Sequence, residues 1–319
     1  MIKHLSILLP TYNCLCVRLV NTLHTQCRLL KTEIAGFDYE IVVADDCSPD
    51  RSFVAANNAI RQLEGVRYLC LGRNLGRSAI RNFLAHEARS EWLLFIDGDL
   101  QVENDDFIYK YVMAAENHDD TTESPATTGV EVVVGGTTIG GSPKQWNGNL
   151  RWRYEKLCEE AHSAANRQKL ASREFRTTNF LVPRKAVLDN PFDENFHQYG
   201  YEDVLFGKRL CQNGYGIRHI DNPVVLDDFE PNDIFVAKTE EACRTLLDFK
   251  QQLRGYSRLL DITEKLARLK LSGTLDALWR IARPLLKRQL CGQTPNVKIY
   301  NVYKLLYMTH IWRDNSKNT

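Results

Sequence analysis

EWLLFIDGDLQ, residues 91–101, is the stretch on which the reading of the fold turns. Leu93, Leu94, Phe95 and Ile96 form an apolar run of the kind shown by a strand buried on both faces, as in a parallel sheet. The run stops at Asp97-Gly98-Asp99. On an extended segment, carboxylates two residues apart point to the same side, and Gly98 lets the backbone turn tightly between them. Carboxylates at the end of a buried strand repel each other unless a cation sits between them. Hard divalent ions such as Mg2+ or Mn2+ take oxygen ligands and share them with phosphates. A metal–diphosphate site is therefore expected here, against the alternative of a solvated Asp-Gly turn.

Outward from this stretch, strand and helix patterns alternate. Residues 4–10 read as a first strand, closed by Pro10-Thr11-Tyr12-Asn13, and a helix follows through Leu19, Leu23 and Leu30. Residues 39–44 read as a second strand ending in Asp45-Asp46-Cys47-Ser48-Pro49-Asp50, with a helix over 52–64. Residues 66–71 form a third strand, Gly72-Arg73-Asn74-Leu75-Gly76 its turn, and residues 77–88 a helix leading into the Asp97 strand. Such alternation implies a mostly parallel sheet flanked by helices, with ligands bound beyond the carboxyl ends of the strands.

Past this core the spacing predicts a loop at 120–128, a strand at 130–134, loop-like chain at 140–148, a helix over 150–169 and a strand at 175–182. A turn with a short helix is expected at 183–189. A helix at 202–212 is closed by Asn213-Gly214, and a last strand covers 217–225. From Val236 onward the pattern is helical. Leu246, Phe249, Leu253, Tyr256 and Leu260 recur at spacings of three and four, which reads as one apolar stripe. Ser272-Gly273 and Pro284 are expected to interrupt later helices. The organisation expected is a domain over 1–230 and a C-terminal helical appendage over 231–319.

At 319 residues, 44% apolar and 25% charged, the composition is that of an ordinary globular chain with a sizeable core. No run approaches the roughly 18 apolar residues of a spanning helix. The opening MIKHLSILLPTYN is too short and too quickly polar for a signal peptide. Nine scattered cysteines without a CxxC pair fit reduced thiols in a cytoplasmic protein better than a disulfide framework. The net charge is +1, yet residues 250–319 hold 14 Lys/Arg against 4 Asp/Glu, a net of +10, which leaves −9 for residues 1–249.

Taken together, the turns over residues 3–230 resemble the family-2 glycosyltransferases of GT-A, Rossmann-like α/β fold. SILLPTYN is similar to the family's opening strand and turn, VVADDCSPD to its nucleoside motif, and GRNLGRSAIRN to its N-x-G-x-x-x-A-R-N segment. IDGD resembles its DXD motif, and FDENFHQYGYEDVLFGKRLCQNGYGI its acceptor-side block. The resemblance implies a hexosyltransferase-type, inverting enzyme of polysaccharide biosynthesis. It implies a nucleotide-sugar donor, a UDP-sugar, and a saccharide or lipid-linked acceptor. Pro10, Thr11 and Tyr12 would wall base and ribose, although Tyr12 equally reads as core. Asp45 or Asp46 would accept from the nucleobase, or the pair caps a helix. Arg81 would pair with the diphosphate. Asp97 and Asp99 would engage ribose and a divalent metal (Mn2+ or Mg2+).

Asp203 matches the family's general base, needed because a sugar hydroxyl is a poor nucleophile at neutral pH, and Glu202 would orient the acceptor. The pair also suits a helix N-terminus. Asn179 and Trp152 resemble positions near the acceptor. One departure stands out: where many relatives carry a ligating His after the last strand, this chain has Leu226, followed by Asp227, a candidate carboxylate replacement. That departure suggests the rival reading of a catalytically idle nucleotide-sugar-binding module. A sugar nucleotidyltransferase fits less well, because LLPTYNC is not a Gly-rich phosphate loop. In the basic tail, Arg280, Arg283, Lys287 and Arg288 interleave with Leu278, Trp279 and Ile281. This pattern suits either a solvated face or peripheral contact with an anionic membrane surface. Nucleic acid is not expected as a partner, since no recognition module accompanies the charge.

Overall fold

The computed structural model describes residues 2–116 and 129–318; the loop expected at 120–128 lies outside them. Nine strands are present among the described residues: β1 (His4–Thr11), β2 (Asp38–Asp45), β3 (Val66–Cys70), β4 (Trp92–Ile96), β5 (Glu131–Val134), β6 (Thr137–Ile139), β7 (Asn179–Pro183), β8 (Gly216–His219) and β9 (Val224–Leu226). Seven form one sheet in the order β3-β2-β1-β4-β7-β5-β8. The strands β3, β2, β1 and β4 are parallel, β7 runs antiparallel to both its neighbours, and β5 pairs parallel with β8. This is the mostly parallel, helix-flanked α/β sheet that the sequence implies. The apolar runs explain it: Ile41, Val42 and Val43 of β2 and Leu93 to Ile96 of β4 are wholly buried, because helices cover both faces. Phe180, Phe192 and Phe206 continue the same core beyond β4.

Two compact units are present. The first comprises Met1–Thr138, Ala161–His197 and Glu202–Asp227; the second comprises Ile139–Glu160, Gln198–Tyr201 and Asp228–Thr319. The sequence suggests a single break near 230, whereas the chain enters the second unit twice before that point. The helix expected over 150–169 is accordingly broken into Leu150–Cys158, a 3-10 turn Glu160–His162 and Ala164–Gln168. The physical reason lies in Arg167, which is buried in the first unit. Its guanidinium hydrogen-bonds His219 Nδ1 at 2.8 Å and donates to the carbonyls of Gly135 and Ile220.

Other expectations are also corrected. Of residues 175–182 only those from Asn179 onward join the ladder, as the start of β7, while Phe175 instead packs into the core. The last strand is two, β8 and β9, in different sheets. Pro223 lacks the N–H that a ladder needs, and the Asn222 side chain turns to the Phe107 carbonyl at 2.9 Å. The apolar stripe over 246–260 does not lie on one helix. It is spread over helices Asn232–Asp248, Lys250–Leu253 and Arg258–Arg268, the first two divided at Phe249, the last two by Gly255 at φ +78°, and the third capped by Ser257. Conversely, Ser272-Gly273 opens the helix Ser272–Leu290, and Pro284 lies within it without ending it.

Candidate active site

In the first unit the chain steps outward from β1 to β2 and β3, then returns to place β4 on the other side of β1. That reversal opens a crevice at the carboxyl ends of β1 and β4, where α/β sheets bind ligands. Pro10 and Thr11 end β1, and Asp97-Gly98-Asp99 follows β4. The two turns are packed backbone to backbone: Gly98 N–H donates to the Pro10 carbonyl at 3.2 Å. A Cβ on Gly98 would stand 2.4 Å from Thr11 Cγ2, so only glycine fits. Tyr12, just beyond, is 51% exposed and is not a core residue.

At the end of β2, Asp45 accepts from the Ser48 amide (2.9 Å) and hydroxyl (2.5 Å). Asp46 accepts from the amides of Leu75 (2.6 Å) and Gly76 (3.0 Å). Burial pushes the Asp46 carboxyl up, against the pull of those two amides. Neither aspartate caps the following helix, whose cap is Asp50, accepting from Ser52 N at 2.9 Å. Instead the pair ties the Asp45–Pro49 turn to the turn before helix Arg77–Glu87.

That helix organises the site. Arg81, 2% exposed, donates to Asp97 Oδ1 at 2.5 Å. It is therefore a buried support for the Asp97 carboxylate. The next residue, Asn82, donates to the Phe192 carbonyl and accepts from the Phe192 amide. Phe192 in turn stacks on Phe206 with centroids 3.9 Å apart, and Arg209 pairs with Asp193 at 2.7 Å. Phe206 and Arg209 belong to helix Glu202–Gln212, so the Arg81-Asn82 pair fixes the Asp97 turn and the acidic helix together. One turn earlier, Arg77 contacts both. Its Nε donates to Glu202 Oε1 at 2.9 Å, and its Nη2 lies 3.8 Å from Asp97 Oδ2. Arg77 is a site residue that the motif reading passed over. Its only signal in the sequence is its place four residues before Arg81, on the same helix face.

The two acidic residues opening helix Glu202–Gln212 differ. Burial works against the Glu202 charge, but Arg77 and Arg81 prevail and hold its carboxyl below the usual range. Asp203 goes the other way: burial, and then the neighbouring Glu202 charge, push it up to about 6, with Arg176 offsetting only part. A carboxylate with that affinity for protons is suited to take one from a hydroxyl near neutral pH. The backbone just before the pair is strained, with Tyr201 at φ +68°, as is common where a fold aims functional groups.

Asp97 and Asp99 do not face the same way. The Leu100 amide bonds back to the Asp97 carbonyl at 3.2 Å, so this segment is a turn and not extended. Asp97 points inward to the arginines, while Asp99 is exposed. Among the described residues no three His, Cys, Asp or Glu are gathered as a ready metal site. Asp227 is half-buried just after β9. Gln101 and Val225 form an antiparallel bridge, with amide-to-carbonyl bonds of 3.0 and 2.8 Å. That bridge lays the chain just after Asp99 beside β9, whose end precedes Asp227. A hard divalent ion that takes most of its ligands from phosphate and water fits two such carboxylates; Asp97, already held by arginine, is the poorer donor. Leu226 is buried and serves packing.

Asn179 is wholly buried. It accepts from the Tyr111 hydroxyl (2.5 Å) and donates to the Gly136 and Asn222 carbonyls, so it braces the sheet. Trp152 belongs to the second unit, where its indole donates to the Gly140 carbonyl at 3.0 Å.

The model of glycosyl transferase family 2 matches residues 6–175. The uncharacterized glycosyltransferase YfnE of Bacillus subtilis (strain 168) is 25% identical over 297 residues, spanning 76% of this chain and 71% of that protein. Among solved structures, S. aureus TarS 1-349 in complex with UDP-GlcNAc aligns with a TM-score of 0.50 and 17% identity, over 98% of this chain and 92% of its own. Mannosyltransferase PcManGT from Pyrobaculum calidifontis, in complex with GDP-Man and Mn2+, aligns with a TM-score of 0.54 and 13% identity, over 97% of this chain and 87% of its own. At these identities the two have the same fold as this chain.

Proposed function

The chain belongs to glycosyl transferase family 2, and from that premise we propose that it moves a sugar from a UDP-sugar to a hydroxyl of a saccharide or lipid-linked acceptor, with inversion at the anomeric carbon. One observation carries the reading: Arg77 touches both Asp97 and Glu202. The turn after β4 and the start of the acidic helix therefore border one crevice, as a single displacement between donor and acceptor requires.

On the donor side, Tyr12 offers an exposed ring to a base, with Pro10 and Thr11 beneath it at the end of β1. Asp45 and Asp46 keep lone pairs beyond the amide bonds they already accept, and one of them takes the base N–H. Arg77, reaching the surface of the crevice, faces the diphosphate, while Arg81 acts through Asp97. Asp99 and Asp227 would hold a divalent ion, which when bound neutralises the charge that builds on the departing diphosphate. The nucleotide-sugar complexes of TarS and PcManGT, the latter with Mn2+, support this choice of ligand.

On the acceptor side, Asp203 takes the proton of the attacking hydroxyl, which lies on the face of the sugar opposite the leaving group. Glu202, kept ionised by Arg77 and Arg81, orients that hydroxyl; its Oε2 is buried and has no hydrogen-bond partner among the described residues. Nine free thiols are in keeping with a cytoplasmic setting.

A thermal-shift screen of nucleotide sugars with and without Mn2+ tests donor binding. A ligand at a hundred times its Kd stabilises by about 2.7 kcal/mol, and UDP-sugars are expected to give the largest shift. Transfer assays on the hits separate an enzyme from an idle binding module. Retained configuration in the product, read by NMR, would overturn the displacement mechanism. Asp227→Ala is expected to weaken metal dependence; if that dependence is unchanged, Asp227 is no ligand.

A further inference from the structure

The chain enters helix Glu202–Gln212 through Gln198-Tyr199-Gly200-Tyr201, a segment that belongs to the second unit. Two of its residues lie in the left-handed region of φ, Gly200 at +102° and Tyr201 at +68°. Glycine adopts that conformation freely, whereas tyrosine does so at a cost. Such a residue persists where its surroundings over-determine the backbone. Here the surroundings are supplied by helix Asn232–Asp248.

Both main-chain polar groups of Tyr199 are taken by side chains of that helix. The Tyr199 N–H donates to Glu241 Oε1 at 2.8 Å, and its carbonyl accepts from the Thr245 hydroxyl at 3.0 Å. Glu241 and Thr245 are four residues apart, so they stand one above the other on one helix face. Thr245 is buried, and its hydroxyl also reaches the Glu241 carbonyl at 3.2 Å, which favours one rotamer. Gly200 lies over the same face: a Cβ added to it would sit 3.0 Å from the Ala242 Cβ. Lys238 adds its ammonium 5.8 Å from the centre of the Tyr199 ring. The φ angles of Gly200 and Tyr201 set the direction in which the next helix starts, and Asp203 is the second residue of that helix. A side chain in the first turn of a helix moves with the backbone that leads into it.

We propose that Glu241 and Thr245 are positioning residues for Asp203: by gripping Tyr199 they hold the turn that aims the opening of helix Glu202–Gln212. This role rests on the reading of Asp203 as the base. The test joins transfer kinetics to hydrogen exchange on the full chain. In Glu241→Ala with Thr245→Val the grip on Tyr199 is lost, and the amides of residues 199–206 should exchange faster. The kcat should fall about a hundredfold, the effect of a reacting group displaced by roughly 1 Å. The Kd of UDP should stay at the parent value, because the donor-side residues lie at the ends of β1, β2 and β4. Glu241→Gln keeps an oxygen for the Tyr199 amide and Thr245→Ser keeps a hydroxyl for its carbonyl, so both should retain the parent kcat. Circular dichroism checks that each variant folds; should the double variant not fold, Glu241→Ala alone, at a half-buried site, gives the same readouts. Turnover that survives Asp203→Asn overturns the base and this role with it. Turnover lost in Asp203→Asn but kept in Glu241→Ala with Thr245→Val overturns the positioning role alone. Unchanged exchange over residues 199–206, a weakened Kd for UDP, or an equal loss of kcat in Glu241→Gln and Thr245→Ser also overturns it.

Discussion

Each unit holds a buried carboxylate clamped by arginine, and the two clusters are balanced differently. In the second unit, Asp276 receives Arg313 at 2.6 Å, His310 at 2.6 Å and Arg280 at 3.3 Å. Burial opposes its charge, yet these partners hold the carboxyl below its ordinary range. Every oxygen is occupied and no acid is left over, which is how a structural ion cluster looks. In the first unit, Asp97 and Glu202 take the two guanidinium groups of Arg81 and Arg77. Asp203 sits beside them with no ion pair among the described residues and is pushed up to about 6. A surplus acid beside a compensated pair is free to exchange a proton. The contrast separates a cluster that holds the fold from one that can do chemistry.

The sharpest way to break this contrast is Asp203→Asn. Turnover is expected to fall roughly a thousandfold, read in a transfer assay. Stability should not fall with it. The folded Asp203 carboxyl titrates above its ordinary 3.8. Its stabilising contribution is therefore complete below pH 3.8, fades as the pH rises through about 6, and is gone at pH 7. Removing the charge should leave the neutral-pH melting temperature unchanged or higher; a large drop would make Asp203 structural.

Arg77→Gln comes next. It releases Glu202 and Asp97 together and should cost roughly a hundredfold in kcat/KM, with the fold retained because Arg81 still holds Asp97. In the second unit, Asp276→Asn should do the reverse. Denaturation should show a loss of about 2 kcal/mol, with turnover unchanged; an unchanged midpoint would break the parallel between the clusters. The smallest effect concerns pH. The kcat/KM of the parent chain should rise as pH passes through about 6, since only ionised Asp203 accepts a proton. In Glu202→Gln the like charge that helps raise Asp203 is gone, so the midpoint should move to lower pH. An upward move would mean that Asp203 is not the titrating group.

Much of this was legible in the linear chain. The buried run before Asp97, the strand-end turns and the acidic opening of helix Glu202–Gln212 are all local patterns, set by periodicity and by glycine and proline, and the motif order carried the family. The local reading failed where one residue was captured from afar. Arg167 breaks a helix that its own periodicity favours, and Pro223 with Asn222 splits an apolar run into two strands. Trp279, read as part of an interfacial pattern, is core because helix Val297–Asn318 supplies Tyr303.

The chain alone determined β1 to β5 and the acids that follow β2 and β4, because burial periodicity and turn chemistry act over a few residues. Only the tertiary structure decided which acid is left uncompensated. Asp97, Glu202 and Asp203 are all carboxylates, and apart from the motif resemblance nothing in the local sequence ranks their charge states. What ranks them is the reach of Arg77 and Arg81 across the crevice, together with the depth of burial, and both are properties of the folded molecule.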